Sequence, residues 1–262
     1  MYAARECQLG RMVAIKFITD ARARERFVRE AQALARCQHP NIVSLFRVGR
    51  TGAGPYLVCE LIAGRRLDEA QPSTWQQVVS IAIGLARAIA ATHARGVIHR
   101  DIKPSNVMIS DDGVVKLLDF GLAVIHDDGE PREDTTIFAG TPRYMAPELW
   151  CGTRASPRTD LYAFGLVVRD LLDTLPDDTE LPASLVQIVD DCTRSNPERR
   201  PVSAELVHDH LQCLAVRFAP THVPAPLVEE EPSLTTLRFV LGDLVTEDVP
   251  RAPAHDLRRT GS

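Results

Sequence analysis

The feature that most constrains this chain is a change of apolar period near Gly64. Before that glycine, apolar residues come in short β-branched runs; beyond it, they recur every three or four positions over helical lengths. The pattern predicts an α+β fold with a small strand-rich N-terminal part and a larger, mostly helical remainder. Met12–Ile18 reads MVAIKFI and suits a buried strand. Residues 21–37 place Phe27, Ala31 and Leu34 at helical spacing, and His39-Pro40 ends that helix. Asn41–Val48 and Pro55–Ile62 read as two more strands on either side of the turn Thr51-Gly52-Ala53-Gly54.

Beyond Gly64, Thr74 with Gln77 forms a capping-box signal. Val78, Ala82, Leu85 and Ile89 then mark a long buried helix, with Gly96 suited to its C-terminal cap. Val107–Ile109 and Val114–Leu118 flank the turn Asp111-Asp112-Gly113 as a hairpin. Helical patterns follow over 161–173, 183–194 and 203–216. After Phe218 the composition shifts to proline and acid, so 219–262 reads as a linker or loose tail. Within it, Leu234–Val245 is apolar enough to dock.

Bulk properties exclude several classes. The net charge of −5, with basic residues spread along the chain, argues against nucleic acid as a partner. The six cysteines form no CxxC pair and show no metal-ligand spacing, which predicts reduced thiols in a cytoplasmic protein. No apolar run approaches the ~18–20 residues of a membrane span, and the first residues lack the apolar core of a signal peptide.

The chemistry concentrates in four polar strings. They are Val13-Ala14-Ile15-Lys16, the run His99-Arg100-Asp101-Ile102-Lys103-Pro104-Ser105-Asn106, then Asp119-Phe120-Gly121, and Gly140-Thr141-Pro142-Arg143-Tyr144-Met145-Ala146-Pro147-Glu148. Taken singly, each has a bland explanation. A lysine in a strand is more often an edge charge. A helical glutamate such as Glu30 is usually solvated, and an aspartate before Phe-Gly is usually a turn residue. The order and spacing of the whole set carry the weight.

In this order the strings resemble the signature set of protein kinases. The resemblance covers roughly residues 2–216, and LGRMVAIKFI, HPNIV at 39–43 and NPERRP at 196–201 are similar to bacterial serine/threonine kinases. It implies a two-lobed fold, a small antiparallel-sheet lobe and a mostly helical lobe, with lobes of about 1–62 and 63–218. It implies transfer of the ATP γ-phosphate to serine or threonine hydroxyls of proteins, with magnesium, or manganese in its place, as the metal. Asp101 then accepts the substrate proton, Lys103 stabilises the transferring phosphate, and Asn106 and Asp119 hold the metal. Lys16 binds the ATP phosphates and Glu30 pairs with it, while Ala14 and the backbone of Glu60 and Ile62 meet adenine. His99, Arg100, Asp160, Glu148 and Arg200 are implied as structural support, the last two as a buried ion pair. Lys103 and Thr141 resemble the serine/threonine rather than the tyrosine class. Thr135 and Thr136 are candidate phosphosites whose phosphate would meet Arg100, and autophosphorylation in trans implies a dimer.

The sequence departs from that pattern in two places. Met1-Tyr2 falls where the family has Val-Tyr after a glycine-rich loop, so the first strand and that loop are expected to be missing and the natural start to lie upstream. The stretch between Leu172 and Leu181 is shorter than in the family, and the helix expected around 65–73 is abbreviated. The missing loop supports a rival reading, a pseudokinase scaffold; against it stand Lys16, Glu30, Asp101, Asn106 and Asp119, all present. A small-molecule kinase of the same fold is a further rival, opposed by Ala146-Pro147-Glu148.

Overall fold

The computed structural model describes residues 1–7, 9–18, 24–52, 54–125, 141–218, 239–241 and 244–246. Its strands are β1 (Tyr2–Glu6), β2 (Met12–Phe17), β3 (Leu45–Thr51), β4 (Gly54–Glu60), β5 (Gly64–Arg66), β6 (Val97–Ile98), β7 (Val107–Ser110), β8 (Val115–Leu117), β9 (Val124–Ile125), β10 (Phe239–Leu241) and β11 (Leu244–Thr246). Its helices are α1 (Arg24–Arg36), α2 (Trp75–His93), α3 (Pro147–Trp150), α4 (Pro157–Leu172), α5 (Ala183–Cys192) and α6 (Ala204–Arg217). The chain divides into two units: one holds 1–19, 46–61 and 222–262, the other 20–45 and 62–221.

The first unit is a sheet of order β10-β11-β1-β2-β4-β3. In β2, Val13, Ala14 and Ile15 are buried, as the apolar run requires. Antiparallel pairing sets Lys16 opposite Leu57, Ala14 opposite Cys59 and Val13 opposite Glu60. Ala4, Val13, Ile15, Tyr56 and Val58 form the core on one face, with Phe17 packed against it. The Phe17 ring meets Tyr2 and Tyr56, each at 5.7 Å between centroids. Gly54 has φ +128, and a Cβ there would lie 2.6 Å from the Ile18 carbonyl oxygen, so the β3–β4 turn requires glycine.

The second unit is built around α2. The Thr74 hydroxyl caps this helix by accepting from the Gln77 N–H at 3.3 Å, and the Gln77 side chain accepts from the Ser73 N–H at 2.8 Å. Val78, Ala82, Leu85 and Ile89 are fully buried along it. Gly84 lets α2 approach β8, since a Cβ there would sit 2.7 Å from the Val115 Cβ. The hairpin β7–β8 pairs Val107 with Leu117, and β5 pairs with β7 on its other side. Among the described residues no helix is long and apolar enough to cross a membrane.

Two local expectations change, and a third holds. The strand expected over 41–48 splits: Asn41–Val43 bonds to β8, while β3 begins at Leu45. There the Val43 N–H donates to the Leu117 carbonyl at 3.0 Å and the Leu117 N–H to that of Asn41 at 2.8 Å. Helix α4 starts four residues earlier than apolar spacing indicates, because Ser156 caps it, Pro157 opens it and the Thr159 hydroxyl accepts from the Ser156 N–H. Between Leu67 and Glu69 the chain makes a single tight turn, in keeping with the abbreviated helix expected there.

Candidate active site

The loop between β6 and β7 gathers its functional side chains through short sequence distances. Pro104–Asn106 forms one tight turn, which folds Asn106 back on Asp101. The Asn106 amide N–H donates to the Asp101 carbonyl at 2.8 Å and to Asp101 Oδ2 at 2.9 Å. Lys103 Nζ donates to the same Oδ2 at 2.8 Å and to the Thr141 hydroxyl at 2.9 Å. The Thr141 hydroxyl in turn donates to Asp101 Oδ1 at 3.4 Å. One carboxylate oxygen is thus held by two donors, and the other carries a single long bond.

Asp160, from the first turn of α4, fixes the backbone of this loop. It is fully buried and accepts from the His99 N–H at 2.9 Å, the Arg100 N–H at 2.8 Å and the His93 ring at 2.9 Å. Burial pushes its carboxyl up, but the His93 hydrogen bond, the charges of His93 and His99 and the His99 N–H outweigh burial and hold it below the ordinary value. Arg100 has φ +67, an uncommon conformation for a residue with a Cβ, and the Asp160 bond anchors it there. His99 accepts from the Asp101 N–H at Nδ1, so in the neutral ring the Nε2 proton donates to the Leu118 carbonyl at 2.9 Å.

Asp119 follows β8 with φ +51, and its Oδ1 accepts from the Gly121 N–H at 3.2 Å. Phe120 is fully buried edge-on to His99, with centroids 4.8 Å apart. Glu30 is buried on α1. A Cβ added at Gly121 would lie 3.1 Å from Asp119 Oδ1 and 3.8 Å from Glu30 Oε2, which brings helix glutamate and loop aspartate together around one glycine.

Asn106 spends its N–H on Asp101 and so presents an amide oxygen; Asp119 presents a carboxylate. Hard oxygens of this kind suit magnesium when nucleotide phosphates complete the shell. Among the described residues no three His, Cys, Asp or Glu side chains form an all-protein cage, which a nucleotide-bound magnesium does not need.

Glu148, on α3, and Arg200 form a bidentate pair, Nη1 to Oε1 and Nη2 to Oε2, both 2.7 Å. The remaining guanidinium donors reach the carbonyls of Arg158 at 2.9 Å, Ser195 at 3.1 Å and Arg194 at 2.7 Å. All five donors are therefore used. The Thr159 hydroxyl donates to Glu148 Oε1 at 3.0 Å. Earlier in the same segment, Arg143 and the Tyr144 hydroxyl both donate to Asp170, at 2.6 and 2.7 Å. Burial and then the Asp170 carboxylate push the Tyr144 hydroxyl up to about 12.

In the first unit, Lys16 and Ala14 lie on β2, and Glu60 ends β4; Ile62 opens the second unit's next segment. Thr135 and Thr136 lie outside the described residues. Thr141, read from sequence only as a marker of the serine/threonine class, proves to bond both Lys103 and Asp101, and two contributors escaped sequence reading altogether: His93 and Thr159. Each of these two makes its bond across at least 11 positions, so local pattern carries no sign of it.

Together, the antiparallel sheet, the helical unit and the polar loop braced from α4 define a kinase-type α+β protein. The family profile described as "Protein kinase domain" matches residues 1–176, about two thirds of the chain, and the chain belongs to that family. A probable serine/threonine-protein kinase of Corynebacterium efficiens is 38% identical over 190 residues, 67% of this chain and 29% of that relative. Serine/threonine-protein kinase PknB of Mycobacterium leprae is 36% identical over 189 residues, 67% and 30% respectively. Serine/threonine-protein kinase Pkn1 of Myxococcus xanthus is 36% identical over 234 residues, 82% and 33%. The chain thus spans a third or less of the length of these relatives.

Proposed function

We propose that this chain transfers the γ-phosphate of ATP to serine or threonine hydroxyls of proteins, itself included. The supporting observation is the Asp101 carboxylate, pinned at Oδ2 by Lys103 and Asn106 with Thr141 beside it. Phosphoryl transfer asks for positioning and charge neutralisation more than covalent chemistry. Asp101 Oδ1 orients the incoming hydroxyl and accepts its proton. Lys103, already anchored on two oxygens, directs its remaining N–H at the transferring phosphoryl oxygens. Asn106 and Asp119 hold magnesium. Bound magnesium-ATP supplies the phosphoryl group and neutralises part of its charge. Lys16, with Glu30 as its ion-pair partner, binds the α- and β-phosphates, and Ala14, Glu60 and Ile62 receive adenine. Phosphate on Thr135 or Thr136 would gain charge-assisted bonds to Arg100, and delivery from a second copy implies a transient dimer. The same reading places the chain in a reducing cytoplasm, where its six cysteines stay as thiols.

The test is transfer of labelled phosphate from ATP and magnesium to the protein and to a generic basic protein. Asp101→Asn is expected to lower the rate by about 10²–10⁴-fold while leaving the fold intact. Equal labelling by wild type and Asp101→Asn would remove Asp101 from the chemistry and the proposal with it.

A further inference from the structure

The β1 strand is paired on both of its edges. Its buried side chains are Ala3 and Ala4, which contribute little apolar area, and its other residues are exposed or half-buried. One edge pairs with β2 over four positions, from Tyr2 opposite Ile15 to Arg5 opposite Met12. The other edge is taken by a segment remote in sequence: Arg5 pairs with Val245 and Glu6 with Leu244, antiparallel. Behind β11 lies β10, with Val240 opposite Val245 and Leu241 opposite Leu244. The sequence between those last partners is Gly242-Asp243, and glycine first in a two-residue connection is a strong hairpin signal. Phe239-Val240-Leu241 and Leu244-Val245-Thr246 are β-branched or apolar throughout, the composition of strands. The intervening residues 219–238 reach roughly 65–70 Å when extended, ample for docking within one chain.

We propose that Phe239–Thr246 is an intramolecular strand donor that pairs in cis with the outer edge of β1 and closes the sheet carrying Lys16. An unpaired β1 edge would expose a row of N–H and C=O groups. The hairpin satisfies part of that row and moves the sheet's outer border two strands further out. The tail residues thereby become a part of the nucleotide-binding unit's stability. This inference goes beyond the kinase reading and does not depend on catalysis.

Disulfide trapping in the full chain tests it, with Cys7→Ser in every variant because Cys7 is exposed two residues from Arg5. Cross-strand partners have Cα atoms about 4.5–5.5 Å apart, inside disulfide reach. Arg5→Cys with Val245→Cys should therefore give an intramolecular bond under mild oxidation. Arg5→Cys with Val240→Cys, one strand further and about 9–10 Å away, should not. As a second measurement, Val245→Pro should speed hydrogen exchange of the Arg5 amide about tenfold or more, with the Glu6 amide, which donates to the Arg11 carbonyl at 2.9 Å, as the internal reference. Absence of the Arg5–Val245 bond, equal trapping of the control pair, unchanged exchange, or trapping as covalent dimers would each overturn the cis pairing, the last in favour of a second copy as the donor.

Discussion

Replacing Glu148 by glutamine isolates the energetics of the Glu148–Arg200 pair. Their side chains are 7% and 0% exposed, so neither charge is solvated by water. The amide keeps the shape of the carboxylate but sets an NH₂ against one Nη donor where a 2.7 Å bond stood. It also leaves a buried guanidinium without a countercharge. Breaking a buried pair from one side costs about 3–5 kcal/mol, a large part of the roughly 5–15 kcal/mol that holds a domain folded. At about 2–4 °C per kcal/mol for a chain of this size, the melting temperature should fall by roughly 6–20 °C. Urea unfolding and calorimetry on the full chain measure both quantities. The pH arm follows from the depressed Glu148 carboxyl. Burial raises it, but the Arg200 hydrogen bond, the backbone N–H, the Arg200 charge and the Thr159 hydroxyl outweigh burial, and the net is below the ordinary 4.5. A depressed group contributes its full stabilisation above the unfolded value and loses it as pH falls through the folded one. The gap between wild type and Glu148→Gln should therefore narrow below about pH 4.5. If the cost comes from the stranded charge, Glu148→Leu with Arg200→Met should be less destabilised than the sum of its single variants. Additive losses, or a Glu148→Gln cost under about 1 kcal/mol, would refute the reasoning.

Thr141→Ala removes the hydroxyl shared by Lys103 and Asp101; phosphate transfer should fall about tenfold or more with the KM for ATP unchanged, and Thr141→Ser should restore it. Asp160→Asn should cost about 2–4 kcal/mol of stability and abolish most transfer, read by unfolding and by labelling, because three donors lose their charged acceptor. Gly84→Ala should destabilise by about 1–3 kcal/mol in urea, despite alanine's better helix propensity, because its Cβ collides with Val115. Maleimide at neutral pH should label Cys7, Cys151 and Cys213 quickly and spare Cys37 and Cys192, whose thiols burial pushes up to about 11 and about 12.

The strings around Asp101 and Asp119 were legible because the chemistry asks for fixed residue types at fixed separations. Helix α2 was legible because its apolar period runs for nineteen residues between a Thr74 cap and Gly96. Strand β1 was not, because Ala3 and Ala4 give no apolar signal; they are buried by neighbours that pack over them. The start of α4 was hidden for a different reason. Its first turn carries Thr159 and Asp160, polar residues that are buried to serve Glu148 and the loop, so an apolar pattern begins only at Leu161. The β11–β1 pairing joins residues some 240 positions apart, and no local rule reaches that far.

The brace at Asp160 has a consequence for how this protein meets changing acidity. Its carboxyl is held below the ordinary aspartate value and sealed from water, so it stays ionised well into acid. The two backbone N–H groups it grips belong to residues that do not need to titrate to be gripped. The grip on the loop backbone thus runs between an ionised carboxylate and two amide N–H groups. Asp160 itself should then contribute no acid limb to the phosphate-transfer rate at or above the ordinary aspartate range.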